Sequence, residues 1–317
     1  MFVEKKVDTE SVSEEVAVKA PGKDGPVLVI LRHGCRVDHV EGKSWVEKSD
    51  RPWDSPLHPQ GYGACHNVGK ALQAFLDNRF NPEAKSPNKK HKVAFYSSPT
   101  IRCVDTLRRA MKGMGREGDP IQTEHAIVET VCRHWYLAWG APGADATWGG
   151  PAHCSIKTMD IDKIKTMKLD PKVFWPPKEL YFNDEQLNSH FEHSDSNKSD
   201  FSRVEKGTHE KLYDLEGSYF SKFNLDNDES DEALQKRLLE FCNLVVERHL
   251  EKGESVVLCT HGGPLGICLQ GLLGLAEAPK VKYTALSVLE RQSCGKWHAL
   301  VFNNDDHVNN QDEDVRY

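Results

Sequence analysis

An uninterrupted apolar run that stops abruptly at charged residues is the feature that most constrains the fold of this chain. Residues 27–31 read Val-Leu-Val-Ile-Leu, and Arg32, His33 and Gly34 follow directly. A run without polar alternation is typical of a strand buried on both faces of a parallel sheet. Ligands bind outside the carboxyl ends of such strands, so we expect Arg32 and His33 to lie at a binding crevice. Gly34 would allow the backbone to turn there and to approach a ligand closely.

A second buried run ends in a similar way near the other end of the chain. Residues 256–259 read Val-Val-Leu-Cys, and Thr260 and His261 follow. Between the two runs, the stretch 96–102 passes from a strand into a helix, with Pro99 suited to the first helical turn. If these strands are neighbours, five side chains that suit a phosphate-like anion converge on one crevice. They are Arg32, His33, Arg36, Arg102 and His261.

Helix and strand patterns alternate along the ordered part of the chain. Apolar residues at helical spacing predict helices over 61–78, 98–114, 231–245 and 264–273. Short apolar stretches predict further strands over 92–97, 121–124, 285–290 and 296–302. The stretches 37–59 and 183–202 are polar, and we expect a loop and a flexible segment there. The alternation predicts an α/β fold, a three-layer α/β/α sandwich with a mainly parallel central sheet.

The pattern of the chain predicts one large domain with an insertion. Residues 1–25 read as a flexible polar leader and not as a signal peptide. The domain would then span 26–302, and 303–317 would be an acidic tail. From about 130 to 229 the periodicity weakens, which we interpret as a cap region inserted over the sheet.

Composition narrows the classes of function. The chain has 317 residues and a formal net charge of −7, which gives no support to nucleic-acid or membrane binding. Nine cysteines without a Cys-x-x-Cys pair indicate a reduced, cytoplasmic protein and neither a disulfide framework nor a zinc site.

Together, these motifs resemble those of the histidine phosphatase superfamily, also called the phosphoglycerate mutase-like superfamily. The matching residues are Arg32-His33-Gly34, Ser97-Ser98-Pro99 with Arg102 and Thr106, Glu129, and Thr260-His261-Gly262. Residues 32–45 are most similar to the phosphatase domain of the suppressors of T-cell receptor signalling and to the ecdysteroid-phosphate phosphatases. Cys35 and Thr130 depart from that subgroup, which usually has Glu and Trp at these positions.

The resemblance implies a phosphomonoesterase, a histidine acid-type phosphatase that works through a phosphohistidine on His33. His261 would contact the transferring oxygens, and Glu129 would protonate the leaving group and then activate water. Three guanidinium groups would bind the phosphate, so that neither a metal ion nor a cofactor is required. They belong to Arg32, Arg36 and Arg102. The substrate would be a phosphorylated small molecule, such as a metabolite or a steroid phosphate, or a phosphotyrosine protein. The oligomeric state stays open, a homodimer included.

Three other functions compete with this interpretation. A phosphoglycerate mutase-type transferase usually carries Ser and Asn where this chain has Arg36 and Asp38. A non-catalytic protein that binds a phosphorylated ligand would have lost a site residue, and none is lost. An acid phosphatase of the sister branch usually has Asp where this chain has Gly262. Cys35 can be read as a reactive thiol beside arginines or as a tolerated substitution.

Overall fold

The structure is a computed structural model that describes residues 25–80, 91–130, 181–194, 202, 204 and 229–307. The predicted leader, except for its last residue, lies outside the described residues. So do most of the predicted cap and residues 308–317 of the predicted tail. None of the described helices is long and apolar enough to cross a membrane.

Six strands form one sheet in the order β3-β2-β4-β1-β5-β6. Their bounds are β1 Val27–Arg32, β2 Val93–Ser97, β3 Ile121–Thr123, β4 Ser255–Thr260, β5 Leu286–Arg291 and β6 Trp297–Asn304. Strands β1 to β4 are parallel, whereas β5 and β6 are antiparallel additions on one side. The mainly parallel sheet is confirmed. The last strand extends two residues beyond the predicted boundary of the domain at 302.

The described helices are α1 Val37–Glu41, α2 Lys43–Val46, α3 Tyr62–Phe80, α4 Ile101–Met114, α5 Asp184–Ser194, α6 Asp231–Arg248 and α7 Gly262–Leu273. The stretch predicted to be a loop contains α1 and α2, and the stretch predicted to be flexible contains α5. Both stretches are so polar that they lack the apolar stripe from which a helix is predicted. Helix α4 begins at Ile101 with Thr100 as its N-cap, so the prediction that Pro99 lies in its first turn is wrong.

Helices cover both faces of the sheet and form two cores. Alternate residues of β1 point to opposite faces, as the period of a strand requires. Leu28 and Ile30 belong to the core shared with α6 and α7. Val29 and Leu31 belong to the core shared with α3 and α4. The predicted α/β/α layering is therefore confirmed, and the complete burial of β1 accounts for its unbroken apolar sequence.

One buried ion pair ties α6 to the segment that leads into Glu129. Arg237 is fully buried, and its guanidinium forms two hydrogen bonds of 2.8 and 2.7 Å with the carboxylate of Glu229. Its Nη1 also donates to the carbonyl oxygens of Ala126, at 2.7 Å, and Val128, at 3.4 Å. Because these carbonyls lie within three residues of Glu129, the pair fixes the course of the backbone just before that side chain.

Loss of this pair should destabilise the fold. In Arg237→Leu, the buried carboxylate of Glu229 would lose both hydrogen bonds from Arg237, so we expect the free energy of unfolding to fall by about 3–5 kcal/mol. Lys236→Leu is the matched control on the same helix, because Lys236 and Glu240 form an exposed pair, with 67% and 46% of their side chains accessible. That change should cost less than about 0.5 kcal/mol. Urea unfolding measures both, and equal stability of the two variants would contradict the argument.

Candidate active site

Two histidines meet where the neighbouring parallel strands β1 and β4 end. Arg32 pairs with Thr260 in the register, and the backbone N–H of His33 donates to the carbonyl of Thr260 at 2.9 Å. The next residue on each strand is therefore a histidine at the same level. The ring centroids of His33 and His261 are 5.3 Å apart in an edge-on arrangement, and both side chains are buried. The predicted convergence of the two strand ends is confirmed.

The ring of His33 is held as one neutral tautomer. Its Nδ1 lies 2.8 Å from the carbonyl oxygen of Gly34. A carbonyl only accepts, so Nδ1 carries the proton and Nε2 keeps its lone pair. Burial lowers the pKa of His33 well below its ordinary value of 6.5, and the positive charges of Arg102 and Arg32 lower it further. The lowered pKa keeps the imidazole neutral in part of the acidic range where an exposed histidine is protonated.

The ring of His261 contacts protein groups through both nitrogens. Arg102 donates to its Nδ1 at 3.2 Å, so the proton is on Nε2, which donates to Ser98 Oγ at 2.9 Å. The thiol of Cys103 lies 3.6 Å from the same Nε2. Burial also lowers the pKa of His261, and the charge of Arg102 makes the next largest contribution to that lowering. In this arrangement both ring nitrogens are engaged by the protein, and His261 orients Arg102. Its predicted contact with the transferring oxygens stays a prediction.

The guanidinium of Arg32 is fixed between a tyrosine ring and a helix end. It lies 4.0 Å from the ring centroid of Tyr283, and its Nη1 donates to the carbonyl of Val281. A Cβ at position 262 would approach Arg32 Nε to 3.0 Å, so Gly262 makes room for the guanidinium at the start of α7. The buried Nε has no hydrogen-bond partner in the described part of the chain. This N–H is therefore available to an anion in the crevice.

Arg102 reaches the crevice from the first turn of α4. Its Nη1 donates to the carbonyl of Trp53 at 3.4 Å and lies 3.8 Å from Asp54 Oδ1. Asp54 also accepts from the backbone N–H of Ile101 at 3.0 Å, which anchors the start of the helix. Like that of Arg32, the buried Nε of Arg102 lacks a partner among the residues described. These two N–H groups favour an anion site, because both are buried and both belong to arginines that act electrostatically on His33.

Arg36 differs from the other two arginines, because it is engaged by a carboxylate two residues away. Its Nε donates to Asp38 Oδ1 at 2.8 Å, and its Nη2 donates to Asp38 Oδ2, so the pair is bidentate. Burial acts against the charged carboxylate, but the charge and hydrogen bonds of Arg36 and a hydrogen bond from Ser55 together outweigh it and lower the pKa of Asp38. The guanidinium is thereby held rigidly in the buried layer. Its predicted direct contact with phosphate stays a prediction.

Glu129 overhangs the same crevice. One carboxylate oxygen accepts from the backbone N–H of Thr130 at 3.0 Å, and the other lies 3.7 Å from His261 Nδ1. Burial raises the pKa of Glu129, although the Thr130 hydrogen bond and the nearby arginines oppose the shift. The carboxyl group therefore keeps its proton to higher pH than an exposed glutamate. A carboxylic acid at the edge of an arginine-lined crevice can deliver a proton to a leaving group.

The residues after His33 serve packing. A Cβ on Gly34 would come within 2.5 Å of Cys65 Sγ, and its backbone φ is not positive. Close packing therefore explains the glycine better than the predicted turn. Cys35 is buried, and burial, followed by the charge of Asp38, raises the pKa of its thiol to about 11. Such a thiol is inert at neutral pH, which favours the interpretation of a tolerated substitution over a reactive group.

Sequence reasoning missed Tyr283, which lies on the loop before an antiparallel strand. Besides stacking on Arg32, its ring lies 5.6 Å from that of His33, and its hydroxyl is bonded to His39. The next residue, Thr284, has a φ of 56°, an unusual conformation for a β-branched side chain. No motif marks these residues, because neither the strain nor the stacking has a sequence signature.

Comparisons with known proteins give one family match and a set of similar folds. The model of the histidine phosphatase superfamily (branch 1) matches residues 199–305. The solved ecdysone phosphate phosphatase from Bombix mori, in complex with tungstate, is 15% identical, with a TM-score of 0.53 over 90% of this chain and 95% of that one. YhfR from Bacillus stearothermophilus is 20% identical, with a TM-score of 0.47 over 89% and 99% of the two chains. Phosphoglycerate mutase from Bacillus anthracis is 13% identical, with a TM-score of 0.47 over 90% and 96%.

No curated protein matches the chain. The family match over the C-terminal third and the shared fold nevertheless confirm the resemblance inferred from the motifs. The chain has the fold of the histidine phosphatase superfamily and carries that superfamily's sequence pattern around β4, α7 and His261.

Tyr283 should matter for anion binding through its aromatic ring. Tyr283→Leu removes the cation–π contact with Arg32, which is worth about 0.5–2 kcal/mol, so the dissociation constant of the complex with inorganic phosphate should rise by about 2- to 30-fold. Tyr283→Phe keeps the ring and loses only the hydroxyl contact with His39, so we expect a change below about 3-fold. Isothermal titration with phosphate measures both. Equal weakening by the two variants would assign the effect to the hydroxyl.

Proposed function

We propose that this protein is a phosphomonoesterase that hydrolyses its substrate through a phosphohistidine intermediate on His33. The observation that carries the proposal is the neutral His33 ring, with its Nδ1 bonded to a carbonyl and its Nε2 lone pair beside buried arginines. A lone pair on Nε2 next to an anion-binding site is what nucleophilic attack on phosphorus requires.

Phosphate binding precedes the attack. A phosphate monoester is a dianion that repels nucleophiles until fixed donors spread its charge. Arg32 and Arg102 each offer an unpartnered buried Nε–H, and Arg36, held by Asp38, is the third proposed contact to the phosphate. Guanidinium groups stay charged at any working pH, so the site needs no metal ion to hold the phosphoryl group.

Two displacements complete the reaction. In the first, the bond from His33 Nε2 to phosphorus forms, the bond to the ester oxygen breaks, and Glu129 gives its proton to that oxygen. In the second, water attacks phosphorus, Glu129 takes the proton of the water, and the nitrogen–phosphorus bond breaks. The raised pKa of Glu129 suits the first step, since the carboxyl group must be protonated before the leaving oxygen departs. His261 keeps Arg102 in place throughout.

His33 is the residue whose loss should be decisive. His33→Ala should abolish hydrolysis of p-nitrophenyl phosphate without loss of the fold, and the wild type, denatured at alkaline pH during turnover, should carry a phosphoryl group that is lost on treatment with acid. The matched control is His298→Ala on β6, whose side chain is 51% exposed, and it should be fully active. Activity in a folded His33→Ala protein would refute the mechanism.

Glu129 should matter most for poor leaving groups. Glu129→Gln keeps the shape and removes the proton, so hydrolysis of an alkyl phosphate should slow by roughly 10²–10⁴-fold and that of p-nitrophenyl phosphate much less. The rate for alkyl phosphates should fall as pH rises through the raised pKa of Glu129, because the acid form is then lost. The rate of Glu129→Gln should not show this decrease with rising pH.

The control for this experiment is Glu251→Gln, which changes a carboxylate that is 59% exposed and should leave both rates unchanged. Equal losses of Glu129→Gln on the two substrates would show that Glu129 positions phosphate only. No loss on either would mean that another residue supplies the proton.

A further inference from the structure

A single buried hydroxyl joins two parts of the candidate active site. Thr106 lies on α4, one turn after Arg102, and is fully buried. Its Oγ1 accepts a hydrogen bond of 2.9 Å from the backbone N–H of Gly34 and lies 2.7 Å from the carbonyl oxygen of Arg102. The hydroxyl therefore connects the residue after the proposed nucleophile, His33, with the helix that carries a proposed phosphate-binding side chain.

The direction of both hydrogen bonds follows from the chemistry of the partners. A backbone N–H only donates and a carbonyl only accepts, so the hydroxyl proton of Thr106 points to Arg102 and a lone pair of Oγ1 faces Gly34. Thr106 has no exposed surface, so a substrate in the crevice does not reach it. Any effect of this hydroxyl on the proposed reaction must be exerted through the residues that it contacts.

Gly34 determines the tautomer of His33. Its carbonyl oxygen lies 2.8 Å from His33 Nδ1, and this is the only hydrogen bond of the ring among the described residues. A Cβ on Gly34 would clash with Cys65, so the position excludes every side chain that would restrict its backbone. The hydrogen bond to Thr106 supplies a restriction instead, because it fixes the N–H of the same residue whose carbonyl holds the ring.

The other hydrogen bonds of His33 hold its backbone and do not orient the ring. Its N–H donates to the carbonyl of Thr260 at 2.9 Å, and its own carbonyl accepts from the N–H of Thr284 at 3.3 Å. Nucleophilic attack requires the reacting atoms to lie about 3–3.5 Å apart in good alignment. The hydrogen bonding that orients the ring for such an attack comes from Gly34, and Gly34 is held by Thr106.

The guanidinium of Arg102 is held by other groups. It donates to the carbonyl of Trp53 at 3.4 Å and to Nδ1 of His261 at 3.2 Å. Neither contact involves Thr106, whose hydroxyl contacts only the main chain of Arg102. Loss of the hydroxyl should therefore leave the anion-binding groups in place and disturb the proposed nucleophile, so that binding and the chemical step respond differently.

We propose that Thr106 is a positioning residue for the reaction: its hydroxyl fixes Gly34 and thereby holds the His33 ring in the orientation from which Nε2 reaches phosphate bound by Arg102. The inference rests on the proposed function, because the orientation of His33 matters only if its Nε2 attacks phosphorus. A displacement of about 1 Å at a reacting group can cost about 100-fold in rate. We therefore expect the phosphorylation step to slow by about 10- to 100-fold without this hydroxyl.

The test compares Thr106→Val, which keeps the shape and removes the hydroxyl, with Thr106→Ser, which keeps the hydroxyl. Single-turnover release of p-nitrophenolate from p-nitrophenyl phosphate, with the enzyme in saturating excess, measures formation of the phosphoenzyme. This rate should fall by about 10- to 100-fold in Thr106→Val and by less than about 3-fold in Thr106→Ser. The dissociation constant of inorganic phosphate, measured by isothermal titration, should stay within about 3-fold in both variants.

Ser255→Ala is the matched control. Ser255 Oγ accepts from the backbone N–H of Val27 at 3.0 Å, at the amino end of β1, and also contacts His91 Nε2 at 2.8 Å. Like Thr106→Val, this change removes a buried hydroxyl with two partners and leaves a backbone N–H unpaired, so both variants should lose stability. Because the control acts at the far end of the strand that leads to His33, its single-turnover rate should stay within about 2-fold of the wild type.

The outcomes separate this inference from the proposed function. An unchanged rate in Thr106→Val, or an equal loss in Thr106→Ser or Ser255→Ala, would overturn the positioning role and leave the phosphohistidine mechanism standing. Phosphate binding weakened by the same factor as the rate would overturn it as well, since the hydroxyl would then act on Arg102. A wild-type protein that forms no phosphoenzyme would overturn the proposed function itself. If Thr106→Val does not fold, Thr106→Ala removes the same hydroxyl and must show the same loss of rate at unchanged phosphate affinity.

Discussion

The parallel pairing of β1 with β4 is the interaction on which the candidate site depends. Register places Arg32 opposite Thr260, so the two chains leave the sheet at one level and present His33 and His261 side by side. A slip of one residue would exchange the side chains that β1 gives to the two cores and would separate the rings. Because Val27–Leu31 and all of β4 are buried in these closely packed cores, packing holds the register and with it the geometry of the candidate site.

The same positive charges have two effects at the end of these strands. Arg32 and Arg102 lower the pKa of His33, and together they offer donors to a dianion. Without the two arginines, a buried imidazole would still be neutral, but no fixed donors would hold an anion beside it. The Arg36–Asp38 pair holds a third guanidinium without leaving an isolated charge in the interior, which would be costly. The same arrangement of arginines therefore keeps the His33 ring neutral and surrounds it with positively charged donors.

The sequence predicted the buried strands, the layers and the meeting of both histidines with Arg102, because unbroken apolar runs and strand-end motifs are local signals. It did not predict that Arg36 and Asp38 form a bidentate ion pair. Two residues that lie two positions apart in a sequence need not point their side chains toward each other. It also missed Tyr283. Strand β5 is antiparallel, so the loop before it, and not after it, reaches the crevice. A search restricted to carboxyl ends of parallel strands overlooks that loop, although it holds Arg32.

Buried and exposed residues near the candidate site respond differently to substitution. Most of the groups proposed to act on phosphorus are buried, where a substitution disturbs the core as well as the proposed reaction. The loop between α7 and β5 carries exposed side chains, such as Ala278 and Lys280, and is anchored by backbone and surface contacts. Surface substitutions of this kind usually change stability by less than about 0.5 kcal/mol. Exposed residues of this loop can therefore change without disturbing the buried residues of the candidate site.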